Sequence, residues 1–149
     1  MDIYNYIKKD HRRFEKLMDQ VADAPDDRTR LSLFRTLKAE LVIHAKAEEQ
    51  SFYLAMDKAT RSKAVEKKLD HTNEEHDEIE KILERISTAT TSSDEWMIAF
   101  GELKHACAHH FEEEEGSLFE KAKSYFDAAK ARQLAKDMDA LKKDMMADA

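Results

Sequence analysis

Apolar residues recur three or four positions apart in four long runs, the spacing that places them on one face of an α-helix. The first run extends from about Asp2 to Asp23 with a stripe of Tyr4, Ile7, Phe14, Met18 and Val21; Pro25, Asp26 and Asp27 end it. The second runs from about Thr29 to Lys58, with Leu37, Leu41, Phe52 and Ala55 on one face. The third starts near Ser62 and carries Leu69, Ile79, Leu83 and Ile86. It ends before the stretch STATTSS, Ser87 to Ser93, a linker by composition. The fourth starts near Ser93, where Ser92 and Glu95 have capping-box spacing, and its stripe includes Leu103, Cys107 and Leu118. A last amphipathic segment, about 125–147, sets Leu134, Met138, Leu141 and Met145 at heptad spacing and is expected to pack across the others or against a partner.

The chain repeats itself. DHRRFEKL (Asp10 to Leu17) matches EHDEIEKI (Glu75 to Ile82), and F..LK.....H...EE..FY (Phe34 to Tyr53) matches F..LK.....H...EE..LF (Phe100 to Phe119). Two related helical hairpins, each of which would leave its stripe wet, predict an all-α, up-down-up-down four-helix bundle with a pseudo-twofold axis and an additional C-terminal helix. The expected organisation is a single domain over 1–149, with the bundle at about 2–122.

Each stripe is interrupted at a matching place. The first helix reads Tyr4, Ile7, His11, Phe14, Met18, and the third reads Leu69, Thr72, His76, Ile79, Leu83. The second reads Leu37, Leu41, His44, Glu48, Phe52, and the fourth Leu103, Cys107, His110, Glu114, Leu118. A histidine and a glutamate four residues on share a face one turn apart. Of the four acids in HFEEEEGSLF, Glu114 is therefore the one expected to point inward. Glu15 and Glu80 also follow a core histidine at that spacing, but both lie on polar faces; His71, His105 and His109 have no histidine mate in the repeat and read as surface residues.

Two carboxylates and four imidazoles in an apolar core require a compensating positive charge, because burying an isolated carboxylate is costly enough to force its protonation. No Lys or Arg interrupts the stripes, so a metal is the simplest answer. This donor set suits iron, manganese or zinc, and carboxylates can bridge two ions in a bundle core. A lone histidine on an apolar face is ordinarily a satisfied core residue; six convergent polar groups are not. Cys107 reads as a small core residue, and the seven methionines as packing rather than a copper site.

Composition narrows the rest. Two glycines and one proline are too few for a β-rich fold, and the 38% of charged residues suits amphipathic helices. A net charge of -7 argues against nucleic acid or an anionic membrane as partner. The apolar core of a signal peptide is missing from MDIYNYIKKDHRRF, no run approaches a membrane span, and the single cysteine fits a reducing compartment; a cytoplasmic location is expected.

His11, then HAKAEE (His44 to Glu49), then His76, then HFEEEE (His110 to Glu115) resembles the hemerythrin-like HHE cation-binding family across roughly Asp2 to Ala122. The resemblance implies a non-haem di-iron centre with an oxo or hydroxo bridge, Mn or Zn being possible substitutes. It makes Glu48 and Glu114 the bridging carboxylates, and His11, His44, His76 and His110 the terminal ligands. This chain departs from the oxygen-carrying hemerythrins at Thr72, where they have a further histidine, and at Glu114, where they have aspartate. One nitrogen fewer leaves an iron position open. The expected function is binding or sensing of O2, NO or H2O2 there, rather than reversible oxygen carriage. The alternatives are a di-iron enzyme or iron-handling protein (iron–sulfur cluster repair, peroxidase or ferroxidase chemistry) and a helical interaction module with a structural metal.

Overall fold

The computed structural model describes residues 1–148. Its rods are α1 (Ile3–Ala22), α2 (Asp27–Glu48) continued through a π-helical turn (Glu49–Tyr53) into α3 (Leu54–Ala59), and α4 (Lys63–Thr88). Then come α5 (Asp94–Glu113), continued through a second π-helical turn (Glu114–Leu118) into α6 (Phe119–Lys123), and α7 (Ala128–Ala147). α1 packs along α2 and α4 along α5, the two hairpins expected from the repeat.

The starts of the rods are written in side chains. Asp2, Asp26, Ser62, Ser93 and Asp127 each accept a hydrogen bond from the backbone N–H three residues on, satisfying one of the otherwise orphaned first-turn donors. The cap of α5 is thus Ser93, not the expected Ser92. Ser92 instead turns the chain with φ 67°, and its hydroxyl accepts from Arg30 Nη1 at 2.7 Å. α4 also outruns its expected end, reaching Thr88, because the Ser87 and Thr88 hydroxyls bond back to the Leu83 and Arg85 carbonyls instead of breaking the helix.

The two π turns are the main departure from simple periodicity. Each inserts one extra residue into a turn directly at the inward glutamate, and so shifts the face that follows. After Glu48 the buried positions become Phe52, Tyr53 and Met56, whereas the expected Ala55 is only partly buried.

Two apolar clusters fill the bundle. One gathers Phe14, Val21, Phe34, Leu37, Leu83, Trp96 and Leu103; the other gathers Ile3, Ile7, Phe52, Met56, Leu69, Phe119 and Met138. Between them lie six buried polar residues, His11, His44, Glu48, His76, His110 and Glu114, with Thr72 also buried. α7 packs against α1, α2 and the first π turn, burying Ala131, Leu134, Ala135 and Met138. Its polar side is anchored as well: Tyr6 donates to Asp139, and Lys142 pairs with Asp10 at 2.8 Å.

Candidate metal centre

All six residues that interrupt the stripes converge at one level, from four different rods, each 7% exposed or less. They form two overlapping groups. His11, His44, Glu48 and Glu114 have donor atoms within 4.8 Å of one another, and so do Glu48, His76, His110 and Glu114. The two glutamates are common to both groups. His71, His105 and His109 stay on the surface as expected, and so do Glu15 and Glu80.

The histidines are held from behind. His11 Nδ1 lies 2.7 Å from Glu115, His44 Nδ1 2.7 Å from Asp10, His76 Nδ1 2.7 Å from Glu49, and His110 Nδ1 3.0 Å from Glu75. A carboxylate accepts only, so each Nδ1 carries a proton and donates it, fixing the ring with Nε2 turned inward. All four Nε2 atoms face the centre. His76 Nε2 sits 3.0 Å from His110 Nε2 and 3.2 Å from a Glu48 oxygen, and His11 Nε2 sits 3.1 Å from a Glu114 oxygen. Two acceptor nitrogens at such a distance repel unless something positive lies against both.

Unpaired polar atoms give the same message. His11 Nε2, His44 Nε2, both oxygens of Glu48 and one of Glu114 are buried without a hydrogen-bond partner. Orphaned buried groups are rare because each costs about 1–3 kcal/mol, and here they cluster on the atoms a cation would contact. Nitrogen and carboxylate donors with outer carboxylates behind them fit a first-row ion.

Electrostatics expresses the same imbalance. Burial and the neighbouring Glu114 charge push the Glu48 carboxyl well above its ordinary 4.5. Burial also opposes ionisation of Glu114, but the neighbouring His11 and His110 outweigh it and hold its carboxyl low. Burial would lower His11, yet its bonds to Glu114 and Glu115 raise it to about 9. His44, fully buried, is pushed down to about 4 despite Asp10.

Glu49 and Glu115, repeat-matched neighbours of the inward glutamates and expected to bond the ligands, do so at His76 and His11; Asp10, Glu75 and Tyr53 lie outside the stripes without that expectation. Asp10 and Glu75, which hold His44 and His110, occupy matching places in the repeat, each directly before a core histidine, and that pairing was a usable signal. Tyr53 had none, since it stands opposite Phe119 in the repeat. Its hydroxyl donates to Glu114 and lies 3.0 Å from the Thr72 hydroxyl and 3.4 Å from His76 Nε2. The two halves therefore differ. The His76–His110 side is lined by hydroxyls, whereas on the other side Phe111 stacks on His11 at 3.9 Å and Phe14 meets His44 edge-on. A cavity of about 260 Å³ runs from the surface at Lys67, Lys68, His71, Glu75 and Glu113 to Thr72 and Glu114. Cys107 is a buried free thiol that burial pushes up to about 12, a packing residue as expected.

Among the described residues no helix is long and apolar enough to cross a membrane. Comparison with known proteins agrees with the fold. A crystal structure of a hemerythrin HHE cation binding domain-containing protein from Mycobacterium kansasii superposes with a TM-score of 0.85, covering 99% of this chain and 89% of that one at 22% identity. A protein described as a DNA nickase, from Nostoc, is 25% identical over 142 residues; the match takes in 95% of this chain and 39% of the relative's length. The family profile of the hemerythrin HHE cation binding domain matches residues 2–122, and the chain belongs to that family.

Proposed function

We propose that His11, His44, Glu48, His76, His110 and Glu114 hold two iron ions, with both glutamates lying between them, and that the protein binds or senses a small ligand, O2, NO or H2O2, at this centre. The observation that supports the reading is the set of four imidazoles, each clamped at Nδ1 by its own carboxylate with Nε2 turned to the centre, where both Glu48 oxygens and one of Glu114 have no partner. Iron held there would supply electrons to the small molecule.

The chain's own residues decide where that molecule arrives. Phe14 and Phe111 close the His11–His44 side, so access is from the His76–His110 side, along the cavity that ends at Thr72 and Glu114. Threonine leaves room there that a larger side chain would fill. Tyr53 holds Glu114 in place through its hydroxyl, and its proton is firmly kept, since burial and then the Glu114 and Glu48 charges raise its pKa well above 10.0. Thr72, whose hydroxyl lies beside that of Tyr53, can hydrogen-bond a bound peroxide on the open side, which favours peroxide chemistry as the second reading.

Iron-loaded, reduced protein should change its optical spectrum on addition of one equivalent of NO or O2 per centre, and Thr72→Leu should slow that change at least tenfold. Hydrogen peroxide consumed over many turnovers would establish the enzymatic reading instead. A spectrum indifferent to all three molecules would exclude both.

A further inference from the structure

The pseudo-twofold axis relates Asp10 to Glu75, and the two acids do the same work, each holding a histidine of the centre through one oxygen. They differ in what neutralises them. Asp10 receives the Lys142 ammonium at 2.8 Å from α7, which covers that half of the bundle. Glu75 has no ammonium or guanidinium partner among its ion pairs. Its Oε2 instead faces His71 Nε2 at 3.5 Å and His109 Nε2 at 3.7 Å. Glu113 completes the group, 3.5 Å from His71 and 3.3 Å from His109.

These four residues repeat, on the surface, the pattern of the core. His71 and Glu75 are four apart on α4; His109 and Glu113 are four apart on α5; the two helices bring the pairs face to face. The donor atoms of His71, Glu75 and Glu113 already lie within 4.8 Å of one another. Distances of 3.3–3.7 Å are too long for good hydrogen bonds and suit donors arranged around a shared ion. Of the two lysines lining the same cavity, Lys67 and Lys68, the second is engaged with Ser117 at 2.7 Å. Three of the four, His71, Glu75 and Glu113, line the cavity that also reaches Glu114, and His109 stands beside them.

We propose that His71, Glu75, His109 and Glu113 form a second, exposed site for a divalent first-row cation, at which an ion is captured before it passes along the cavity to the buried centre. The capture site stands on its own residues; its role as a loading station rests on the buried centre proposed above. Glu75 serves both, one oxygen on His110 and the other on the incoming ion. The arrangement places three of the four donors, His71, Glu75 and Glu113, on the wall of a cavity that also reaches Glu114.

The test uses the whole metal-free chain and Co2+, whose visible absorption reports nitrogen and carboxylate coordination, in wild type and in the His71→Ala/His109→Ala double variant. Both histidines are more than half exposed, so the variant should fold, as circular dichroism would verify. Wild type should bind three equivalents, two of them tightly. The variant should bind only those two, and fill them at least fivefold more slowly under substoichiometric Co2+. A third equivalent that survives the double substitution, or an unchanged filling rate, would overturn the proposal. Loss of the two tight equivalents from wild type itself would instead refute the buried centre, a distinguishable failure.

Discussion

Glu48→Gln should stabilise the metal-free protein and destabilise the metal-replete one. Both Glu48 oxygens are buried without a partner, and burial together with the Glu114 charge raises its pKa well above 4.5. Without a cation that carboxyl is a liability, and the amide, of the same shape, removes it; the expected gain is about 1–3 kcal/mol. With cations present the negative charge is what holds them. Glutamine cannot supply it, and losing one ion held at about a thousand times its Kd costs about 4 kcal/mol. The metal-free effect has a pH signature. A raised native pKa means the folded chain keeps a proton that the unfolded chain releases above 4.5, so metal-free wild type loses stability as pH climbs from there. The gain from Gln should therefore vanish near pH 4 and grow towards neutrality. Urea melts of both proteins, with and without metal, at two pH values measure all of this. The same sign of effect in both metal states would show that Glu48 does not face a cation. Glu15→Ala, on the exposed side of α1, should change neither state by more than about 0.5 kcal/mol.

Removing the metal from wild type should lower Tm by about 15–30 °C. Two ions, each present at roughly a thousand times its Kd, contribute about 8 kcal/mol together, and a protein of this size shifts by about 2–4 °C per kcal/mol. The size of the effect follows from position. The six residues form a polar layer between the two apolar clusters, so without cations the bundle carries unpartnered polar atoms through its middle. A melt that does not move on chelation, in protein verified to have held metal, would place the ions elsewhere.

Most of the site was legible because it breaks a pattern the chain otherwise keeps. His11, His44, His76 and His110 interrupt apolar stripes at equivalent heights, and the duplication turns each interruption into a pair. The distinction between Glu114 and its three acidic neighbours followed from helical phase alone, and Glu114 is 2% exposed. What escaped depends on geometry that phase does not carry. The π turns at Glu49–Tyr53 and Glu114–Leu118 have no composition signal, yet they move Met56 inward in place of Ala55 and bring Tyr53 onto Glu114. Helical phase also put His71 and His109 on polar faces, correctly, but could not show that two polar faces meet across α4 and α5. The anchoring of α7 over Asp10 through Lys142 is likewise a contact between distant segments, invisible to local periodicity.

The most direct test is anomalous diffraction from crystals of the iron-loaded protein, recorded on both sides of the iron absorption edge. Two edge-dependent peaks should appear, each touching Glu48 and Glu114, one beside His11 and His44 and the other beside His76 and His110. A protein crystallised from excess ferrous iron with no such peaks, its Nε2 atoms turned to other partners, would contradict the account.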